Sequence, residues 1–133
     1  MTKEDSGKLL LRLTAALLLL PHGLAKLGGV GKIAGMLEAK GLPGILAYMV
    51  YVGEIIVPIL LIIGLFTRFA GLILAVNMCF AIYLVHAHQL WQFTQTGGHA
   101  LELQIFYLMS GIVISLMGAG SFSLDAMRRS RFR

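Results

Sequence analysis

The longest uncharged stretch of the chain runs from Phe69 to Leu101 and contains no Asp, Glu, Lys or Arg in 33 consecutive residues. An uncharged apolar stretch of about 18 or more residues predicts a transmembrane helix, because about 20 residues cross the hydrocarbon core of a bilayer. This stretch is too long for one crossing, and the polar segment from Trp91 to Gly98 predicts a turn within it. We therefore predict two membrane-spanning helices joined by that turn.

The composition extends this prediction to the whole chain of 133 residues, of which 58% are hydrophobic and 13% are charged. A soluble domain carries about 25% charged residues, so both a soluble globule and a disordered chain are excluded. We predict an all-α fold, an integral membrane four-helix bundle that forms a single transmembrane domain over residues 1–133. The four spans are expected at about residues 9–27, 45–66, 69–90 and 100–117.

The segments outside the spans are short. Between the first two spans, Ile33, Met36 and Leu37 recur at helical spacing among charged residues, which predicts a short amphipathic helix on the membrane surface. Lys and Arg number eight on the side that holds both termini and the basic tail 124–133, and three on the other side. The positive-inside rule therefore predicts that both termini are cytoplasmic. The few basic residues lie near the ends of apolar stretches, so nucleic acid is not an expected partner.

Glu54 is predicted to lie about 14 Å into the second span. A charge at the centre of a span costs about 2.5–3.5 kcal/mol, so Glu54 should face the bundle interior and needs a cation or hydrogen-bond donors. Tyr51 shares its helix face and is a candidate donor. Pro58 lacks the N–H group that would bond the Glu54 carbonyl. Glu54 is therefore either a working proton acceptor or a buried carboxyl group that ties helices together.

Six further polar residues gather at the predicted outer ends of the spans. They are His22, Lys26, His86, His88, His99 and Glu102. His86 and His88 are two residues apart, so one of them at most faces the bundle if the helix continues. His22 and Lys26 are four apart and share a face.

A quinone pocket needs hydrogen-bonding and proton-exchanging groups beside apolar walls, and these side chains provide the former. None of their spacings is a metal signature, so the set favours a quinone over haem or a metal ion. We predict two groups of site residues. The reacting groups are Glu54, His22, His86 and Glu102, and the cofactor contacts are Tyr51, Lys26, His88 and His99.

Four segments resemble the DoxX family of small bacterial membrane proteins, and one of them is the His-ended third helix with Ala81 and His86. RLTAALLLLPHGLAKL is similar to the family's R…HG..K pattern, at Arg12, His22, Gly23 and Lys26. GEIIVPILLIIGLFTRFAG is similar to its Glu-centred second helix and G-x-x-T-R hairpin, and GAGSFSLDA is similar to its closing G-x-G-x-x-S-L-D pattern. The resemblance implies four membrane helices in the bacterial inner membrane. It also implies links to thiosulfate:quinone oxidoreduction or to membrane complexes that handle oxidative stress, and more distant eukaryotic relatives are cargo receptors.

Three functions remain open at this point. The leading hypothesis is a quinone-linked redox subunit that works with partner proteins, because the single cysteine, Cys79, excludes an internal disulfide pair. The alternative is a non-enzymatic assembly or partner protein, whose basic tail docks to proteins or anionic lipid. The third is a small proton-coupled transporter that works as a homo-oligomer.

Overall fold

The structure is a computed structural model that describes residues 2–86 and 89–131. It is 75% helical, and the described residues form no strand, so the predicted all-α membrane class is confirmed. Its helices are α1 (Lys3–Leu24), α2 (Gly31–Ala39), α3 (Gly44–Ile63), α4 (Thr67–Ala81, continued by a π turn at Ile82–His86), α5 (Glu102–Met117) and α6 (Leu124–Arg131).

Three of these helices are long and apolar enough to cross a membrane, namely α1, α3 and α4 with its extension to Leu84. Helix α5 is also apolar but has 16 residues, or about 24 Å of helix. Large apolar side chains such as Leu18, Leu72 and Phe106 are more than half exposed on the outer faces of these helices. An exposed apolar surface of this kind is what a helix presents to lipid.

The start of α1, the α3–α4 turn and the segment after α5 meet at one end of the molecule, which we call the tail end. The Asp5 carboxylate accepts a hydrogen bond from the Ser121 N–H at 3.0 Å. The Asp125 carboxylate accepts from the Phe66 and Thr67 N–H groups, each at 2.9 Å. These contacts require the four apolar helices to alternate in direction along the chain. Which side of the membrane the tail end faces stays a prediction.

Helix α2 lies at the opposite end and is the predicted amphipathic helix. Its buried Leu37 packs with Val30 and with Ala47 of α3, and its Ile33 joins the same cluster. Lys40, at the end of α2, lies over the ring of Tyr83 of α4, with Nζ 4.7 Å from the ring centre. The short helix is thereby held against both α3 and α4.

Helices α4 and α5 make the most extensive contact, and a pair of glycines allows it. A Cβ atom placed on Gly71 would lie 2.7 Å from the Gly111 carbonyl oxygen, and one on Gly111 would lie 2.6 Å from the Gly71 carbonyl oxygen. Glycines let two backbones approach closely, which favours helix association where the hydrophobic effect between helices is weak.

The position of Arg12 near the start of the first span allows its side chain either to extend to the membrane surface or to pair inside the bundle. In the structure the side chain is fully buried. Its guanidinium donates to the Leu61 carbonyl at 2.9 Å and to the Phe122 carbonyl at 2.7 Å. A single cation thus joins α1, α3 and the segment after α5. The bonded carbonyls help to offset the cost of burying the charge.

The glycine pair yields a first prediction. Gly71→Ala and Gly111→Ala should each destabilise the folded protein by about 1–3 kcal/mol, because a methyl group forces α4 and α5 apart. Thermal unfolding in a mild detergent measures the loss. Gly7→Ala in α1 is the matched control, since nothing lies within 4 Å of a Cβ atom there. An unchanged melting temperature for both test variants would contradict the crossing.

Arg12 yields a second prediction. Arg12→Met should cost about 3 kcal/mol and should release the tail, because the carbonyls of Leu61 and Phe122 lose their donor. Limited trypsin digestion should then cut after Arg128 and Arg129 faster than in the wild type. Arg12→Lys should give an intermediate rate, since one ammonium group lacks the planar fork that reaches two carbonyls. Equal cleavage rates in all three proteins would show that Arg12 does not hold the tail.

Candidate functional site

A cavity of about 470 Å³ lies at the end opposite the tail end, enclosed by α1, α2, α3, α4 and α5. This volume is in the range of small-molecule and cofactor pockets. Most of its lining is apolar, and its polar side chains are few. The polar side chains are His22, Lys26, Glu54, Asn77, Gln104 and Tyr107. An apolar pocket with a small number of polar groups can orient a mainly apolar ligand by hydrogen bonds.

The central polar feature of this cavity is an ion pair between Lys26 and Glu54. Lys26 Nζ lies 2.5 Å from Glu54 Oε2, and the two side chains are 34% and 10% exposed. Lys26 follows the end of α1, whereas Glu54 lies in α3, so the pair joins two membrane helices. The cation that Glu54 was expected to need is therefore Lys26, which the sequence analysis had assigned to cofactor contact.

Tyr51 holds Lys26 and does not bond Glu54. Its hydroxyl donates to the Lys26 backbone carbonyl at 2.8 Å, so the expected Tyr51–Glu54 hydrogen bond is replaced by a bond to the turn after α1. The phenol is long enough to reach that turn, one helix away. Tyr51 does not line the cavity. Tyr51 therefore affects the site indirectly, because it fixes the backbone of Lys26, and the Lys26 side chain pairs with Glu54.

Glu54 lies in a π-helical stretch of α3, Val52–Ile56, where the Val57 N–H bonds the Val52 carbonyl five residues earlier. Pro58 follows immediately and is buried. A π turn inside an α-helix often marks a functional position. Here it directs the Glu54 carbonyl at α1, where a Cβ atom on Gly23 would overlap the carbonyl oxygen. A glycine at position 23 is therefore needed for α1 to pack against α3 beside Glu54.

Sequence reasoning missed three polar residues of the cavity, Asn77, Gln104 and Tyr107. Tyr107 lies edge-on to the His22 ring, with the ring centres 6.4 Å apart. The Asn77 side chain packs directly against Gly53, the residue before Glu54, so closely that a Cβ atom on Gly53 would overlap it. The sequence could have indicated these three residues, because polar side chains within apolar helices tend to face the interior of the bundle.

Two of the predicted site residues, His99 and Glu102, lie apart from the cavity lining. His99 is fixed in the turn before α5, where its Nδ1 accepts the Leu101 N–H at 3.0 Å and its Nε2 lies 2.7 Å from the Leu90 carbonyl. Because a backbone N–H can only donate, Nδ1 is the acceptor and Nε2 carries the hydrogen. Glu102 is exposed in the first turn of α5.

The predictions for the two histidines at the end of the third span, His86 and His88, concern side chains outside the described part of the structure. His86 ends the π turn that continues α4, and His88 lies outside the described residues. Among residues 2–86 and 89–131, no group of three or more His, Cys, Asp or Glu side chains could hold a metal ion. The structure thus brings together His22, Lys26 and Glu54 from the predicted set.

Comparison with known proteins identifies relatives over most of the chain. The chain is 30% identical over 121 residues to a Bacillus subtilis (strain 168) protein named "Putative oxidoreductase CatD". The matched region covers 91% of this chain and 86% of that protein. It is 34% identical over 116 residues to an uncharacterized protein of Haemophilus influenzae, with 86% and 85% of the two chains covered. No solved structure is significantly similar.

The family comparison bears on the part of the chain that builds most of the cavity. The DoxX family model matches residues 7–87, a segment that contains most of α1 and all of α2, α3 and α4. This match covers more than half of the chain, and the Bacillus subtilis relative extends the similarity through α5. The chain belongs to the DoxX family of membrane proteins.

Proposed function

We propose that the cavity binds the headgroup of a quinone, and that the chain is a membrane subunit of a quinone-linked oxidoreductase in the bacterial inner membrane. The observation that carries this proposal is the Lys26–Glu54 ion pair, which lies in a cavity whose walls are mostly apolar. The bilayer supplies quinones directly to a site between membrane helices. The apolar walls suit a flat ring; Lys26 can donate to a carbonyl oxygen of the oxidised ring, and the Glu54 carboxylate can accept a hydrogen bond from a hydroxyl of the reduced ring.

The chain's own residues suit the proton chemistry of such a ligand. A bound quinone supplies a two-electron carrier that takes up two protons on reduction. Lys26 Nζ is a hydrogen-bond donor for a ring oxygen, and the Glu54 carboxylate is the group that accepts or returns a proton. His22 lines the cavity and is exposed, so in this proposal it exchanges protons between Glu54 and the surroundings.

The electrons must come from another protein in this proposal. With one cysteine, the chain has no internal dithiol pair that could deliver them. A partner subunit that carries a redox cofactor is therefore part of the proposal. The Bacillus subtilis relative is named "Putative oxidoreductase CatD", and this name supports the same class of function for this chain.

A second function is favoured by the same ion pair. Glu54 already has a cation beside it, and Tyr51 holds the backbone of that cation, so the arrangement also suits a tie between α1 and α3. A membrane assembly protein would need nothing further from these residues. The two functions differ in one respect, since a redox subunit binds a quinone through Lys26 and Glu54 and an assembly protein does not.

Quinone content tests the proposal. Wild-type protein purified in mild detergent should release a quinone on solvent extraction, detected by its ultraviolet absorbance. When both proteins are purified under reducing conditions, Glu54→Gln should carry about 10- to 100-fold less, because the hydrogen bond from a quinol hydroxyl to the charged carboxylate is lost. Glu102→Gln is the matched control, since it makes the same chemical change at an exposed position outside the cavity.

Two results would overturn the redox proposal. One is wild-type protein that carries no quinone and whose melting temperature is unchanged by a short-chain benzoquinone or naphthoquinone. The other is equal quinone content in Glu54→Gln and wild type. If Glu54→Gln also lowers the melting temperature in these cases, the ion pair is a structural tie and the assembly function is favoured.

A further inference from the structure

The tail end carries a second concave surface, separate from the cavity. This groove, about 1190 Å³ in volume, is formed by the start of α1, the α3–α4 turn, the segment after α5 and the helix α6. Four cationic side chains line it, namely Lys8, Arg68, Arg128 and Arg129. Asp5 and Asp125 line it as well. The formal charge of its lining is therefore positive.

The two carboxylates in the groove are already engaged by backbone donors. Asp5 accepts the N–H groups of Thr2 and Ser121, each at 3.0 Å. Asp125 accepts those of Phe66 and Thr67, as described above. Both carboxylates thus bond the protein backbone and not the cationic side chains of the groove.

The cations, in contrast, keep free donors. In the part of the chain that the structure describes, Lys8 and Arg129 form no hydrogen bond or ion pair. Arg128 lies over the Phe66 ring at 4.9 Å, a contact that leaves its N–H groups available. Arg68 uses Nη1 to bond the carbonyls of Ser115 and Leu116 at the end of α5. Free guanidinium and ammonium donors in one groove suit a phosphate group.

The position of the groove indicates where such a phosphate would come from. The groove lies at the ends of the membrane helices, and two of its lining residues, Phe69 of α4 and Met117 of α5, are exposed apolar side chains. Phe122 and Met127, near and within α6, are also more than 60% exposed. Cations flanked by exposed apolar side chains match the boundary between headgroups and acyl chains. A soluble acidic partner would leave that apolar surface uncovered.

We propose that this groove is a binding site for the headgroup of an anionic phospholipid, with the phosphate between the tail helix α6 and the start of α1. Lys8 and Arg129 supply the free donors, and Arg128 and Arg68 add positive charge. The acyl chains run along the exposed faces of α4 and α5. Arg12 and Asp125 already join the tail segment to the bundle. A lipid phosphate bound to Arg129 would add a further contact that holds α6 at the membrane surface.

The test compares two double variants that remove the same charge. Lys8→Gln/Arg129→Gln changes the groove, whereas Lys3→Gln/Arg131→Gln changes the same two helices outside the groove lining. Native mass spectrometry with phosphatidylglycerol and with phosphatidylcholine measures the lipid retained by each protein. Each groove cation should contribute about fivefold to phosphatidylglycerol binding, so the groove variant should bind on the order of 30-fold more weakly. The control variant should retain wild-type binding.

Three results would overturn the proposal. Equal loss in both double variants would indicate diffuse surface charge, and no loss in the groove variant would remove the site. Stabilisation of the wild type by inorganic phosphate as strong as that by phosphatidylglycerol would assign the groove to free phosphate. The single exposed change Arg129→Gln repeats the comparison against Arg131→Gln if the double variant does not fold. Quinone content is independent of all these results.

Discussion

The Lys26–Glu54 ion pair is the interaction on which the cavity end of this protein depends. A carboxylate within an apolar helix is costly unless a cation reaches it, and here the cation comes from the turn after α1. The pair fixes the relative positions of α1 and α3, while Tyr51 fixes the backbone that carries Lys26. The close approach of Gly23 to the Glu54 carbonyl completes the contact. These contacts build one wall of the cavity.

The same physical requirement operates at the tail end with the opposite charge. Arg12 is fully buried and is bonded by two backbone carbonyls, one of them from the segment that leads to α6. Asp125, at the start of α6, bonds the backbone at the start of α4. One buried cation and one carboxylate therefore assemble the ends of three membrane helices and the tail. The molecule has a cavity at one end and a basic groove at the other, each organised around charges.

These two ends suggest a division of roles that links structure to function. The cavity end presents a paired carboxylate and ammonium group to a ligand in the apolar region, which suits the proposed quinone. The groove presents free cations to the headgroup layer, which suits the proposed anionic lipid. Membrane helices that cross the bilayer between them would keep the two sites in separate environments. Neither proposal needs the other to be correct, since they depend on different residues.

Charge frequency and apolar stretches were sufficient to predict the all-α membrane class, the apolar helices and the burial of Glu54, because these properties depend on local composition. The sequence also predicted the short helix α2. The expected shared helix face of His22 and Lys26 is not formed, because α1 ends at Leu24 and Lys26 lies in the turn that follows, but both side chains line the cavity. The partner of each polar group, in contrast, became known from the packing of the helices. Lys26 pairs with Glu54, Tyr51 bonds the Lys26 carbonyl, and Arg12 is buried with carbonyls from distant segments.

His99 is an example of a residue whose position was predicted from the sequence but whose hydrogen-bond partners were not. Its position before the fourth span suggested cofactor contact, yet its ring is bonded within its own turn. Asn77 and Tyr107 drew no prediction but line the cavity. Helical spacing gives the face on which a side chain lies, but it does not give the neighbour opposite that face. The neighbours depend on how four helices rotate and shift against each other, which the packing at Gly23, Gly71 and Gly111 decides.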